Sequence, residues 1–342
     1  MFTEVNHFLK QIWWALSSYV IATKYVIWEF YLRKCGRIKR LKLDDFPKQD
    51  DKWALVTGGS RGIGLEIVHN LLQCGYNVII GSSSPEEKRN ILQTTLQRKF
   101  MKCEVEVWHL DLASLKSVKQ FAEKYLLTKT SLHLLINNAG IMFVKEETTE
   151  DGYEKHFAVN YLSHSLLTML LLPLLSKSGT HEKHSRIVNC TSCIHYVGNN
   201  DLLNFKEWKY YSKHKAYIQS KLAQVLFTYS LHQKLQTNKI NVDVNCVHPG
   251  VVNTDLMTSA LILPFIGALF LKTAKDGADT ATYVALSPDI EGNGGNYLED
   301  KTILQSSKQS YNVKLQQTFW SKTIEELQQW MDVEKFNELI KK

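Results

Sequence analysis

Cysteine is scarce in this chain, with six among 342 residues. So few thiols exclude a disulfide scaffold, and reduced cysteines are expected. Hydrophobic residues make up 44% and charged residues 22% of the sequence, which excludes disorder, collagen and coiled coil as the main architecture. The twelve histidines show neither an H-E-x-x-H motif nor Cys/His ligand spacing, so no metal site is predicted.

The body of the chain carries little net charge. Of the formal charge of +7, six positive charges belong to residues 33–42, RKCGRIKRLK, which contain no acid. Because the charges of residues 1–32 balance, residues 43–342 carry only +1. This distribution argues against a nucleic-acid partner. A basic block that directly follows an apolar segment indicates a membrane surface instead.

The apolar segment itself lacks a long uncharged run. Ile12–Leu32 comprises 21 mostly apolar residues, enough for a helix to cross a hydrocarbon core of about 30 Å, but the uncharged run ends at Thr23. Lys10, Ser17 and Lys24 would form a narrow polar stripe on one face of this helix. A membrane-spanning helix is favoured on length, and a helix lying in the membrane interface is the alternative.

Two parts of the chain are therefore expected. Residues 1–44 form a membrane anchor helix with its basic flank, and residues 45–342 form one α/β domain. If the anchor spans the membrane, the basic residues that follow it place the domain in the cytosol.

The domain opens with a strand, a glycine-rich turn, a helix and a second strand. Trp53–Thr57 and Asn77–Ile80 have the short, apolar pattern of buried parallel strands, and the turn between them is Gly58-Gly-Ser-Arg-Gly-Ile-Gly64. Such a turn lets the backbone approach a pyrophosphate, which then lies at the positive end of the helix. The segment predicts a dinucleotide-binding site.

Five later segments are also predicted to be strands, which makes a doubly wound domain with a seven-stranded parallel sheet. These segments are Val105–His109, Leu132–Ile136, Arg186–Cys190, Asn241–Cys246 and Gly292–Leu298.

Hydride exchange between a nicotinamide and an alcohol or carbonyl carbon needs a protein group that supplies a proton. A tyrosine can do so if a nearby cation lowers its pKa, and Tyr and Lys at i and i+4 share a helix face. Four such pairs occur, Tyr125/Lys129, Tyr211/Lys215, Tyr217/Lys221 and Tyr297/Lys301. Tyr217 and Lys221 are selected because a long helix with apolar residues at helical spacing begins with them.

Together, these motifs resemble the short-chain dehydrogenase/reductase family. The resemblance covers about residues 52–320 and implies a Rossmann domain. The apolar N-terminal segment, NYLSHSLLT and SKLAQVLFTY are similar to its membrane-associated, retinol-dehydrogenase-like branch. The matching motifs are T-G-x-x-x-G-x-G at Thr57–Gly64, Asn137-Asn-Ala-Gly140, Thr191-Ser192, Y-x-x-S-K at Tyr217–Lys221, and Pro249-Gly250-x-x-x-Thr254.

The resemblance implies a role for each matching residue. In the family the serine binds the substrate oxygen, and the asparagine anchors a water for proton relay. The implied catalytic residues are Asn160, Ser192, Tyr217 and Lys221. The implied cofactor-binding residues are Thr57, Gly58, Ser60, Arg61, Gly62, Ile63, Gly64, Ser82, Ser83, Asp111, Leu112, Asn138, Ala139, Gly140, Tyr217, Lys221, Pro249, Gly250 and Thr254.

NADP(H) is the favoured cofactor. Enzymes that use NAD usually carry an acid at the end of the second strand, whereas this chain has Ser82, Ser83 and Ser84 there. Arg61, in the glycine turn, could pair with a 2′-phosphate. Because Ser83 replaces the family's usual basic residue, NAD(H) also stays open.

A lipophilic small molecule is the expected substrate. Residues Leu256 to Leu271 contain no charge, and in the family this region caps the substrate pocket. The expected enzyme is an NAD(P)-dependent alcohol dehydrogenase or carbonyl reductase acting on a long isoprenoid alcohol or aldehyde of the polyprenol kind. The alternatives are a retinol or steroid dehydrogenase and, in another class, a catalytically idle NADP-binding scaffold. The expected location is the endoplasmic reticulum membrane, and both a lipid-droplet location and a homodimer stay open.

Overall fold

A computed structural model describes residues 2–38, 40–206, 208, 211–256 and 270–341. Lys39 of the basic block and residues 257–269 of the predicted cap therefore lie outside the described residues. All six cysteines are free, as their scarcity predicted.

The sheet has eight strands in the order β3-β2-β1-β4-β5-β6-β7-β8. The first seven strands pair in parallel, as predicted. The strands are β1 (Trp53–Thr57), β2 (Asn77–Ser82), β3 (Val105–His109), β4 (Leu134–Asn137), β5 (Ser185–Cys190), β6 (Val242–His248), β7 (Tyr297–Glu299) and β8 (Thr302–Leu304).

The prediction of a seven-stranded sheet missed the edge strand β8, which pairs with β7 in the antiparallel direction. The chain reverses at Asp300 and Lys301, whose φ angles are 46° and 65°. Two successive positive φ angles are typical of a tight hairpin turn, which asparagine and glycine usually form. Because this turn contains neither residue, the sequence gives no hairpin signal there.

Helices cover both faces of the sheet. Leu55 of β1 belongs to the core beneath one group of helices, and Ala54 and Val56 belong to the core on the opposite face, because successive strand residues point to opposite sides. The helices are α1 (Phe2–Lys34), α2 (Gly62–Gln73), α3 (Glu86–Lys99), α4 (Leu115–Thr128), α5 (Lys155–Phe157), α6 (Ser163–Ser178), α7 (Lys213–Thr237), α8 (Ala274–Leu286), α9 (Val313–Leu327) and α10 (Val333–Lys341).

One helical segment of the described chain is long and apolar enough to cross a membrane. It is Lys155–Ser178, which joins α5, a π-helical turn at Ala158–Leu162 and α6. Most of this segment is buried inside the domain. It is a core element of the fold.

The predicted N-terminal helix is present as α1, which extends beyond the predicted segment at both ends. It lies along the domain, against α7 and the turn that follows β5. Trp14, Ser18 and Val26 are buried in that contact. The helix is therefore a packed part of the structure.

Candidate active site

A cleft of about 940 Å³ lies at the carboxyl ends of the central strands, where open α/β sheets bind ligands. It joins the glycine-rich turn after β1 to Ser192, Tyr217 and Lys221. Of all the predicted site residues, Thr57 and Asn160 do not line the cleft. Both are completely buried behind its wall.

The glycine-rich turn has the shape of a phosphate cradle. At Gly64, an added Cβ would lie 2.3 Å from the Gly58 carbonyl oxygen and 2.5 Å from Asn138 Nδ2. No side chain caps the N-terminus of α2, and its first turn contains no acid. The free amides and the positive end of this 12-residue helix therefore fit an anionic pyrophosphate.

Thr57 positions the cradle from below. Its Oγ1 accepts hydrogen bonds from the backbone amides of Asn138 and Ala139, at 3.0 and 3.1 Å. The same oxygen lies 2.9 Å from His164 Nε2. Thr57 thus fixes the loop after β4 against the turn after β1.

The end of β2 carries more positive charge than the sequence analysis recognised. Arg61 lies 3.3 Å from Asp255, and both side chains are largely exposed. Lys88 and Arg89 also line the cleft, and Arg89 Nε donates to the Ser84 carbonyl oxygen. Both cations lie near the start of the helix that follows Ser82–Ser84, and this position could have indicated their role from the sequence. Three cations therefore line the same cleft as Ser82–Ser84.

Asp111 lines the cleft and also stabilises a turn. Its Oδ1 accepts a hydrogen bond of 2.9 Å from the amide of Ala113. The cofactor-binding role that the family resemblance implies for Asp111 is therefore compatible with its role in the turn.

Tyr217 and Lys221 lie one helical turn apart on α7, and both are buried. Lys221 Nζ is 5.8 Å from the centroid of the Tyr217 ring and donates to the Cys190 carbonyl oxygen and to Gln224 Oε1. The tyrosines of the other three pairs, Tyr125, Tyr211 and Tyr297, do not line the cleft.

The electrostatics of this pair differ from the sequence argument. Burial raises the pKa of Tyr217, and a hydrogen bond with Ser192 opposes that rise. Burial also lowers the pKa of Lys221 to about 8. Burial thus dominates the pKa of Tyr217 in place of the predicted lowering by Lys221, and the phenol stays protonated at neutral pH.

Ser192 faces the cleft from the end of β5. It caps the 3₁₀ turn Cys193–Val197, and its Oγ accepts a hydrogen bond of 3.4 Å from the amide of Ile194. This position places its hydroxyl beside Tyr217. The two hydroxyls can bind one substrate oxygen together.

Asn160 acts through its neighbours. It lies in the π-helical turn, a type of irregularity that is frequent at functional sites. Its Nδ2 donates to Ser220 Oγ and to the Ile141 carbonyl oxygen, at 2.9 and 3.0 Å, and its Oδ1 accepts from the Ile141 amide. Asn160 thereby joins the loop after β4 to α7, which makes it a positioning residue rather than a lining one.

The substrate side of the cleft is apolar and includes α1. Ser18, Tyr19 and Ala22 of α1 line it together with Met142 and Phe143. α1 was predicted only as an anchor, and no motif in the sequence indicates that it lines the cleft. The predicted cap over Leu256–Leu271 is outside the described residues except at its two ends, Leu256 and Phe270–Leu271.

Lys221→Met should abolish turnover, and its thermal stability relative to that of the wild type should be greater at pH 7 than at pH 10. The folded pKa of Lys221 is about 8, against about 10.5 for an ordinary lysine. Its charge therefore destabilises the fold fully below pH 8, and that destabilisation fades as the pH rises towards 10.5. Melting curves at pH 7 and pH 10 should show that the melting temperature of the variant, relative to that of the wild type, falls at the higher pH. An equal difference at both pH values would contradict the assigned pKa.

Comparisons with known proteins agree with this architecture. Residues 52–261 match the short chain dehydrogenase family. The chain is 39% identical to human polyprenol dehydrogenase over 91% of its own length and 94% of that protein. It is 37% identical to mouse retinol dehydrogenase 11, over 79% and 84% of the two chains. A crystal structure of an uncharacterized protein from Mycobacterium paratuberculosis superposes with a TM-score of 0.68 at 27% identity, over 85% of this chain and 98% of the other.

The match covers more than half of the chain, and the relatives align over most of their length. The glycine cradle, the Tyr217/Lys221 pair and Ser192 line one cleft at the place that the fold reserves for ligands. The chain belongs to the short-chain dehydrogenase family and is an NAD(P)-dependent oxidoreductase.

Proposed function

We propose that the protein exchanges hydride between NADP(H) and a lipophilic alcohol or aldehyde, of the long isoprenoid class to which polyprenol belongs. One observation carries this proposal: the cleft that joins the phosphate cradle to Tyr217 and Ser192 is closed on its substrate side by apolar residues and by α1. The relative named polyprenol dehydrogenase supports the same substrate class.

The residues of the active site have separate roles in the reaction. When bound, the nicotinamide supplies or accepts the hydride at its ring carbon. Tyr217 moves the proton at its hydroxyl, and Ser192 holds the substrate oxygen beside it. Lys221, through its contacts with Cys190 and Gln224, and Asn160, through Ser220, keep α7 in register with the loops around the cleft.

The pyrophosphate would lie on Gly58, Gly62 and Gly64 at the start of α2, and the 2′-phosphate beside Arg61, Lys88 and Arg89. The absence of an acid at Ser82–Ser84 supports NADP(H) over NAD(H). The adenosine would lie against Asp111, Leu112 and Asn138–Gly140. The nicotinamide end would meet Pro249, Gly250 and Thr254.

We also propose that α1 and the basic residues after it attach the enzyme to a membrane, with the catalytic domain on the cytosolic side. The endoplasmic reticulum is the location proposed, with lipid droplets as the alternative. Cell fractionation against markers of the endoplasmic reticulum and of lipid droplets would test the location.

The substrate class can be tested by assaying the purified full chain with polyprenal, retinal and a ketosteroid, each with NADPH and with NADH. We expect the highest kcat/KM for polyprenal with NADPH. A clear preference for retinal would favour the retinol dehydrogenase alternative, which the relative named retinol dehydrogenase 11 supports. Tight NADPH binding without turnover of any carbonyl would favour the idle scaffold.

Arg61→Ala should weaken NADPH binding by about 1–3 kcal/mol and leave NADH binding almost unchanged, because it removes a charge-assisted contact to the 2′-phosphate. Fluorescence titration of both cofactors measures the difference. Arg98→Ala, at the far end of α3 and away from the cleft, is the control for losing an exposed arginine. Equal losses for both cofactors would show that Arg61 serves only the turn.

A further inference from the structure

The N-terminal helix α1 is docked across the mouth of the active site. Trp14 and Val26 belong to the same buried cluster as Tyr217. Glu29 Oε2 accepts a hydrogen bond of 3.1 Å from the amide of Val251, and Glu29 Oε1 lies 3.6 Å from Lys272 Nζ. Along its length the helix is therefore fixed to the domain by both apolar and ionic contacts.

Further contacts extend this attachment towards both ends of the helix. Gln11 Nε2 donates to the Tyr211 carbonyl oxygen at 2.9 Å. Tyr25 donates to Glu299 at 2.7 Å, and Arg33 donates to the Leu271 carbonyl oxygen at 3.2 Å. An upright position of α1 would break all of these contacts and expose the buried carboxylate of Glu29.

The opposite face of α1 is apolar and exposed. Its residues are spaced by three, four or seven positions, so they share one side of the helix. Val20 is 65% and Ile27 63% exposed. Over about 33 Å of helix they form a stripe, called here the outer stripe. The outer stripe comprises Leu9, Trp13, Leu16, Val20, Ile27 and Tyr31.

The exposed charges beside the outer stripe have one sign. Glu29 is the only acid between residues 9 and 42, and it is buried. Lys24 interrupts the stripe between Val20 and Ile27, Lys10 follows Leu9 at its start, and exposed cations continue past its end at Lys34, Arg37, Arg40 and Lys42. An apolar stripe with aromatic residues and flanking cations matches an anionic lipid surface in both polarity and charge.

We propose that the outer stripe docks on an anionic bilayer, so that α1 lies in the plane of the membrane while its inner face forms the roof of the substrate pocket. In-plane docking is favoured over a membrane-spanning helix because α1 is docked on the domain. The reason for such docking rests on the proposed lipid substrate. The pocket then lies one helix diameter, about 10 Å, from the lipid surface. A lipid alcohol can reach Tyr217 while its distal chain stays in the bilayer.

Flotation of the full chain with phosphatidylcholine vesicles, with and without phosphatidylserine, tests the docking. We expect binding that is strengthened by phosphatidylserine and released by alkaline carbonate. Combining Leu16→Glu, Val20→Glu and Ile27→Glu should lower the bound fraction at least about tenfold. The matched control combines Ile91→Glu, Met101→Glu and Leu127→Glu, three exposed apolar residues away from α1, and should bind as the wild type does.

The fold of both triple variants is checked by NADPH affinity and melting temperature, because neither set touches the cleft. If the outer-stripe variant is misfolded, quenching of Trp13 by brominated lipids provides a second test in an otherwise wild-type chain, with Trp13→Phe as its reference. Quenching supports in-plane docking, and its absence contradicts it.

Several outcomes would overturn the proposal. Resistance of the wild type to carbonate would indicate a spanning helix. A change from dimer to monomer in the outer-stripe variant, without a change in vesicle binding, would make the stripe an interface between two copies.

Turnover of a short, water-soluble isoprenoid aldehyde should survive in the outer-stripe variant, whereas turnover of a long one in vesicles should fall. If the wild type binds vesicles but reduces neither aldehyde, the proposed substrate fails while the docking stands.

Discussion

Tyr217→Phe should reduce turnover by about 10²- to 10⁴-fold and leave NADPH affinity close to that of the wild type. The change removes the hydroxyl that moves the proton and keeps the ring, which packs against Phe143 at 5.4 Å between ring centroids. Steady-state kinetics with a lipid aldehyde, together with a fluorescence titration of NADPH, would measure both effects. The loss should appear in kcat rather than in cofactor binding.

Tyr125→Phe is the matched control for this experiment. Tyr125 is also buried and also starts a Tyr-x-x-x-Lys motif, but its hydroxyl donates to the Ser131 carbonyl oxygen and it does not line the cleft. Its loss should lower stability without changing kcat. Activity of Tyr217→Phe within about tenfold of the wild type would remove Tyr217 from its assigned role.

The parallel strands could be predicted closely because their signal is local. Trp53–Thr57 and Val105–His109 have the predicted bounds. A buried strand must be a short, apolar and β-branched run, and nothing distant alters that requirement. The hairpin at Asp300 and Lys301 escaped because lysine seldom adopts a positive φ angle and neither glycine nor asparagine marks the turn.

The site was predictable as a set of motifs, but the arrangement around it was not. The Tyr217/Lys221 pair could be chosen among four because its helix carries the apolar pattern of a buried element. Lys88 and Arg89 reach the cleft only because α3 begins immediately beyond Ser84. Asn160 is placed by a π-helical turn, for which the sequence has no signature.

The orientation of α1 on the domain is the feature that could least be predicted from the sequence. Its apolar residues predict a membrane contact, yet apolar residues lie on both sides of the narrow polar stripe, and the pattern does not say which of them meet the protein. Glu29 identifies the face that meets the protein, because a buried carboxylate requires polar partners. Those partners, Val251 and Lys272, lie more than 200 residues away in the sequence.

Gly64→Ala should lower NADPH affinity by about 3 kcal/mol or more, roughly a hundredfold, because the cradle has no room for a side chain. The new Cβ would lie 2.3 Å from the Gly58 carbonyl oxygen and 2.5 Å from Asn138 Nδ2. Neither atom can move away easily. Asn138 Nδ2 donates to the Thr57 carbonyl oxygen, and the Gly58 carbonyl belongs to the backbone of the turn. The turn must therefore widen, and the backbone amides at the start of α2 no longer point at the pyrophosphate.

Gly59→Ala separates this effect from general strain in the turn. Its Cβ would meet the ends of two side chains, Val68 at 2.9 Å and Ile80 at 3.0 Å, and Gly59 does not line the cleft. Both side chains are buried and β-branched, so the strain falls on the core, and this variant should lose thermal stability but keep its NADPH affinity. Titrations of both variants, with their melting temperatures measured in parallel, make the comparison. Wild-type affinity in Gly64→Ala would mean that the glycine turn does not hold the cofactor, and equal losses in the two variants would trace the effect to stability alone.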